Sequence, residues 1–491
     1  MADDCQIDRY QNCVGDRSRR EFLTSLLSLG GVLAAGSLFK TRENPLLTFA
    51  EHAFSRAFLG NFPPADEQLL EEIEKALFLF FWEQVDPYVG LVKDRTQRNG
   101  PDTREIGSIA STGFGLTALS IADHRGWMET KKLKERVRAT LKFFAQRAQH
   151  QHGFFYHWMN IHTANREFNS EISSIDTGLL LCGVLCCRTQ FEDAEIQDLA
   201  TKIYERVDWP WMLSGGKTLS HGWRPESGFI PTRWDVYCEL MMIYLLGLGS
   251  PTHPIPADSW DAWKRPTFEY EGYRYVGSNA PLFVHQYSQA WFDFRGKHDH
   301  YADFFENSVI ATRVHKKWCL SLAKQFPDYS ENLWGITASD SAHGYVVWGG
   351  PPSMGPIDGT IVPSAAGGSL AFLPEESMAV MRTIREQYGK KVWSRYGFAD
   401  AFNPLKNWVN PDVIGINVGI TMLMAENART GFVWDIFMKN EDAQRGMMRA
   451  GFKPNAQRPE KASRNISPRH VRLQWSVTSS VRAGTSCVVE V

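Results

Sequence analysis

Trp234-Asp-Val-Tyr-Cys-Glu-Leu-Met-Met-Ile-Tyr-Leu-Leu-Gly-Leu-Gly249 is the stretch on which the reading of this chain turns. Its residues are almost all apolar, which predicts a helix over 234–248 with almost no polar company. One carboxylate, Glu239, interrupts it. Burying a carboxylate is costly unless it is paired or protonated, so Glu239 is either a structural acid, with Arg233 as the nearest partner, or a catalytic one. Asp235, four residues earlier, would share its helical face. Burial and a neighbouring like charge both raise a carboxyl pKa, the device that keeps a general acid protonated near neutral pH.

Outward from this segment the same period recurs. Helices are expected over 66–84, 109–125, 133–148, 175–190, 193–207, 301–325, 374–388, 420–430 and 432–438, with short strand pieces at 153–158 and 344–348. Many helices of similar length, joined by alternating short and long loops, predict an all-α fold of helix hairpins arranged in a ring. The two longest connections, 250–281 and 339–369, exceed ordinary loop lengths and are expected to carry function.

Composition narrows the chemistry. The 491 residues hold 53 Lys and Arg against 55 Asp and Glu, a formal net charge of -2, which gives no electrostatic footprint for nucleic acid or an anionic membrane. Aromatic residues reach 13%, and several of the 17 tryptophans fall in polar clusters such as Asp208-Trp-Pro-Trp211 and His221-Gly-Trp-Arg-Pro225. Rings so placed suit stacking on sugar faces, although core packing uses the same residues. Trp211, Trp223 and Trp334 are the candidate stacking rings. Eight cysteines (5, 13, 182, 186, 187, 238, 319 and 487) include no CxxC pair, so no zinc or redox motif is supported.

The N-terminus reads as an export signal. Ser18-Arg-Arg-Glu-Phe-Leu23 precedes an uncharged apolar run over 26–39 with small residues at Ala34, Ala35 and Gly36. A basic pair, a short apolar region and small residues in that order describe a twin-arginine signal peptide over 1–40, too short for a comfortable membrane span. The expected organisation is then a linker over 41–64, a catalytic domain over 65–452 and a poorly ordered tail over 453–491. Periplasmic or secreted localisation, and an encounter with the twin-arginine export machinery, follow; a stable membrane attachment would require the signal to remain uncleaved.

Several loops set Asp, Glu, His, Trp and Tyr beside small residues, which lets a ligand approach the backbone closely. Ser170-Glu-Ile-Ser-Ser-Ile-Asp176 leads into an apolar helix that Ser173 or Ser174 could cap; Asp176 suits its first turn, whereas Glu171 has no helical reason to be there. Comparable segments surround His285 and Tyr287, Trp334 and Asp340, Asp358, and Asp400. For Asp340 and Asp400 a loop-stabilising turn is the plain alternative to chemistry.

These segments, in this order, resemble the bacterial glucoamylase-like glycoside hydrolases, which include endo-β-1,2-glucanases and the related domain of cyclic β-1,2-glucan synthases. The matching pieces include Phe80-Phe-Trp-Glu83, Gly90-Leu-Val-Lys-Asp-Arg95, Val207-Asp-Trp209, Gly249-Ser-Pro-Thr-His-Pro-Ile-Pro256, and the runs 108–119, 173–180, 234–249, 285–296, 333–345, 358–375, 396–403 and 426–434. The resemblance covers roughly 67–452 and implies an (α/α)6 toroid with a cleft at one end and hydrolysis without a cofactor or metal. It assigns the general acid to the glutamate of a Trp-x-x-Tyr-x-Glu pattern, here Glu239. The partner carboxylate stays open among Asp176, Glu171, Asp340 and Asp400. Arg95, His285 and Tyr287 join the tryptophans as candidate substrate-binding residues.

One position departs from the family pattern. Gly-Ile-Asp-x-Gly becomes Gly415-Ile-Asn-Val-Gly419, and Asn417 cannot serve as a base, which leaves it a binding role. The expected activity is an exported glycoside hydrolase on a β-glucan, endo-β-1,2-glucanase-like. Its alternatives are a transglycosylase on the same scaffold and a glycan-binding protein whose catalysis is impaired. A polysaccharide lyase fits less well, because these motifs are rich in acids rather than in a Tyr or His base with uronate-binding cations.

Overall fold

The computed structural model describes residues 61–455. The expected signal peptide, most of the linker and nearly all of the tail lie outside these residues.

Helices dominate. The domain is framed by α1 (Pro64–Glu83), α2 (Ile109–His124), α3 (Thr130–Gln146), α4 (Ser174–Gln190), α5 (Ala194–Glu205), α6 (Met241–Gly249), α7 (Phe304–Ser321), α8 (Pro363–Gly367), α9 (Pro374–Thr383) and α10 (Gly415–Arg429). Two short helices follow, α11 (Phe432–Met438) and α12 (Glu441–Arg449). Sequence pattern sorts them into two layers. In α2, α4, α6 and α10 almost every residue is buried, whereas α3 and α5 bury a single stripe such as Leu133, Val137, Leu141 and Phe144. A helix apolar all round belongs inside; one with a stripe belongs outside.

The inner helices form a closed succession. α2 packs on α4, α4 on α6, α8 on α10, and α10 on α2. Between α6 and α8 the ring is completed by two 3-10 turns, Leu282–His285 and Ser288–Ala290. Ser288 Oγ accepts from Met242 N–H at 3.1 Å, and Gln286 Nε2 donates to the Ala365 carbonyl at 2.9 Å. Outside, α1 covers α2 and α10, α3 and α5 pack together over α2 and α4, and α12 lies on α6. The closest inner contact is made at paired glycines. A Cβ at Gly183 would collide with the Gly113 backbone, and one at Gly113 with the backbone of Leu179 and Leu180. Only glycine permits that approach.

Opposite faces of the ring have different chemistry. Near the C-terminal ends of α2 and α10, Arg429 reaches Glu74 (2.6 Å), Glu67 (2.9 Å) and Glu71 (3.2 Å), while Arg125 holds Glu426 (2.7 Å). Glu74 is wholly buried, and burial together with Glu426 holds its carboxyl well above the usual range. Near the N-terminal ends lie the small antiparallel pairs: Ile106–Ser108 with Trp158–Asn160, Arg95–Gln97 with Asp412–Ile414, Ile172–Ser173 with Gly222–Arg224, and Ser339–Ser341 with Gly344–Val346.

Three expected boundaries are corrected. The helix expected over 234–248 starts only at Met241; before it the backbone is drawn into tertiary pairing, with Tyr237 N–H donating to Lys264 O at 2.8 Å and Trp234 N–H to Leu219 O at 2.8 Å. Asp235 therefore does not share a helical face with Glu239. The helix expected from 420 begins at Gly415 and so includes Asn417. The helix expected over 374–388 ends as α at Thr383 and continues as one π turn, Ile384–Tyr388.

Candidate active site

Carboxylates gather at the N-terminal ends of the inner helices in two clusters, with Glu239 on a third element. The first cluster is built by strands and loops far apart in sequence. Arg95 donates from Nη1 to Asp340 Oδ2 at 2.8 Å and from Nε to Asp94 Oδ2 at 3.0 Å. Asp94 Oδ1 also accepts from the Trp158 indole at 3.4 Å. Asp400 Oδ2 accepts from the Asp340 backbone N–H at 3.0 Å and from Asn410 Nδ2 at 3.2 Å, and the same amide reaches Asp340 Oδ2 at 3.2 Å. Asn417, in the first turn of α10, donates to Asp400 Oδ1 at 2.6 Å and to the Ala338 carbonyl at 3.3 Å.

The two aspartates differ in environment. Asp400 is 4% exposed, while the Asp340 side chain keeps 13% of its surface open. Burial first, and the Asp340 charge second, push the Asp400 carboxyl up to about 7 against the pull of its hydrogen bonds. Neither residue makes the local turn that was the plain alternative for it: the bonds of Asp400 run to residues 340, 410 and 417. Behind this cluster Arg104 grips Asp412 at 2.6 and 2.8 Å and also contacts Asp102, fixing the strand that feeds α10.

The second cluster is His157, Glu171 and Asp176. His157 Nδ1 lies 3.3 Å from Glu171 Oε1 and 3.5 Å from Asp176 Oδ2, and its ring stacks on Trp158 at 3.6 Å. Ser173 caps α4, accepting from Asp176 N–H at 3.1 Å and donating to Asp176 Oδ2 at 2.5 Å. One atom from each of the three residues falls within 4.8 Å of the others, a set that could hold a divalent ion. Arg224, 3.7 Å from Glu171 Oε2, supplies positive charge there already.

Glu239 sits two residues before α6 and is 1% exposed. Its backbone carbonyl accepts from Ser288 Oγ at 2.8 Å, which fixes the turn to the neighbouring inner element. The proposed structural partner is engaged elsewhere: the Arg233 guanidinium donates to Thr218 Oγ1 at 2.9 Å and to the Thr218 and Leu213 carbonyls.

The candidate binding residues divide. Trp211 and Trp223 are partly exposed and belong to one aromatic group with Phe229 and His152, in which Trp211 lies flat on His152 at 4.4 Å. Trp334 is fully buried and Tyr287 is 1% exposed, packed against Phe114 and Phe283. Both rings pack within the buried core, unlike Trp211 and Trp223. His285 is also buried; its Nδ1 pairs with Tyr237 Oη at 3.0 Å, and burial, with His315 alongside, pushes it down to about 3, so the ring is neutral. It lines a shallow recess with Tyr275, Ser278 and His315. Asp94, His157 and Asn410 escaped the sequence reading, although Asp94 stood in the quoted 90–95 motif and His157 in an expected strand.

Residues 231–441 match the Glycoamylase family model, whose description is "putative glucoamylase". A curated relative, the exo β-1,2-glucooligosaccharide sophorohydrolase (non-reducing end) of Parabacteroides distasonis, is 27% identical over 79% of this chain, and the chain spans 58% of that relative's length. The solved endo-β-1,2-glucanase from Chitinophaga pinensis, in complex with sophorotriose and glucose, is 26% identical with a TM-score of 0.73, over 79% of this chain and 98% of that one. A Bacteroides uniformis protein carrying the family description is 28% identical with a TM-score of 0.74, over 80% of this chain and 99% of that one. The resemblance drawn from the motifs and the (α/α)6 toroid are both borne out.

Proposed function

We propose that this chain is a glycoside hydrolase that cleaves a β-glucan, with β-1,2-glucan as its first substrate and Glu239 as the general acid. The observation that carries the reading is the position of Glu239, a buried carboxylate two residues before the N-terminus of α6, at the same helix ends as the Arg95–Asp340–Asp400 cluster. Glycoside hydrolysis needs two carboxyls with opposite duties: one protonates the leaving oxygen, while the other activates water or attacks the sugar. The names of the similar proteins support the substrate class.

Export through the twin-arginine route, to the periplasm or beyond, belongs to the same proposal and rests on residues 18–36. Among the described residues no helix is long and apolar enough to cross a membrane. A glycan-binding protein without turnover is the second reading, because Asn417 occupies the site with an amide.

The test is product analysis on linkage-defined glucans with the wild type and Glu239→Gln. New reducing ends from β-1,2-glucan are expected, and the variant should lose roughly 10²–10⁴-fold in kcat while keeping substrate affinity. Full turnover in the variant would remove Glu239 from the acid role. Binding without products in the wild type would favour the second reading, and unsaturated ends would indicate elimination.

A further inference from the structure

We infer that Asp340 is the carboxylate that faces the reacting water, and that Asp400, Asn410 and Asn417 are positioning residues that hold it. This rests on the hydrolase reading above and assigns the half of the acid–base pair that the sequence left open among four acids.

The argument is one of access. Both Asp400 oxygens are occupied by protein donors, Oδ1 by Asn417 and Oδ2 by the Asp340 N–H and Asn410. Asp340 is arranged differently. Its bonds to Arg95 and Asn410 both fall on Oδ2, and its side chain retains 13% exposure, so among the described residues Oδ1 is the oxygen left for water. It is carried at the head of the Ser339–Ser341 and Gly344–Val346 hairpin, within one of the two long connections.

The surrounding groups fix Asp340 from three directions. Arg95, held in turn by Asp94, sets the carboxylate orientation; Asn410 bridges the two aspartates; and Asp400 grips the Asp340 backbone. Asn417 ties this assembly to the first turn of α10. Hydrogen bonds one layer removed from the reacting group are what hold it within the small tolerance that catalysis requires. An amide at 417 donates at every pH. A carboxyl in its place would lie against the Asp400 carboxyl, and two such groups in contact cannot both ionise. Around Asp400 the charged groups are Asp340 and Arg95, with Asp94 beyond Arg95.

In the step this assigns, Asp340 Oδ1 removes a proton from water as the water oxygen bonds to the anomeric carbon. Glu239 gives its proton to the departing glycosidic oxygen as that bond breaks. The step leaves Asp340 protonated and Glu239 ionised, and exchange with solvent restores both.

The experiment compares purified Asp340→Ala, Asp340→Asn, Asp400→Asn and Asn417→Asp on β-1,2-glucan, with circular dichroism as the folding check. Asp340→Ala should lose about 10³-fold or more in kcat with KM within a few-fold, and added sodium azide should restore turnover. Asp340→Asn keeps an oxygen for Arg95 and should be as inactive, which separates lost chemistry from lost folding. Asp400→Asn should lose less and show no azide rescue. Asn417→Asp adds a carboxyl beside Asp400 and should move the acid limb of kcat, which reports ionisation of the base, to higher pH, a change that a purely structural role would not produce. Azide rescue of an Asp400→Ala variant, or near-normal kcat in folded Asp340→Asn, would overturn the assignment while leaving the hydrolase reading intact. A wild type without glycosidase activity would remove both.

Discussion

Replacing Asp400 by asparagine makes the electrostatics of the site measurable in the stability of the whole fold. Its carboxyl is raised from an ordinary 3.8 to about 7 by burial and the Asp340 charge. A group whose folded pKa exceeds its unfolded one binds its proton more tightly when folded. Its stabilising contribution is therefore complete below pH 3.8 and is lost as pH rises through 7. At about 1.36 kcal/mol per pKa unit, the full span is roughly 4 kcal/mol, of which roughly 3 kcal/mol disappears between about pH 5 and pH 8. The asparagine of the Asp400→Asn variant cannot titrate, and its amide leaves one or two donors facing donors, a cost of about 1–3 kcal/mol that does not vary with pH. Glu74, Asp235 and Glu306, also raised by burial, titrate in both proteins and cancel in the difference. Urea unfolding followed by tryptophan fluorescence should show the wild-type advantage shrinking by roughly 3 kcal/mol across that interval, with most of the change below about pH 7. A difference that stays constant with pH would refute the account of Asp400 as a buried, proton-holding acid.

Two further predictions address the scaffold. Arg429→Met removes the 2.6 Å partner of the wholly buried Glu74 together with the contacts to Glu67 and Glu71, so it should destabilise by about 3–5 kcal/mol, read as a reduced melting temperature; an unchanged melting temperature would mean that this ion-pair cluster adds nothing to the fold. Gly183→Ala forces a methyl into the Gly113 backbone at the α2–α4 crossing and should lower stability by about 1–3 kcal/mol or more, read as a reduced melting temperature; an unchanged melting temperature would mean that the two inner helices separate freely.

Most of the helical frame was legible because the inner and outer layers carry different apolar patterns, and those patterns survive packing. Helix 432–438 was bounded correctly, and α2 and α4 to within one residue at each end. Site residues were legible singly but not as groups. Asp340 and Asp400 stand 60 positions apart, and only the folded chain brings one amide, Asn410, against both. Asp94 and His157 gain their meaning from the same long-range contacts, which no local spacing encodes. Burial was not legible either: Trp334 and Tyr287 stand in polar sequence, like Trp211 and Trp223, yet only the first two are packed into the core.

Two of the three misplaced boundaries fall where the chemistry does. The segment 234–240 has the composition of a helix, but its backbone donors are spent on Leu219 and Lys264, and this irregular turn carries Glu239. At the other boundary Gly415 and Gly419 stand where a side chain would strike a neighbour, Ser111 and Phe80 in one case and Phe114 in the other. The helix they permit starts early enough to place Asn417 against Asp400. Local sequence preference fails at these two points because the fold overrides it to aim a side chain, and such conflicts between local and global preference are expected at functional positions. If Glu239 and Asn417 had no part in catalysis, restoring local consistency around them would cost activity nothing; the hydrogen bonds that Asn417 makes, and the turn that holds Glu239, argue that it would.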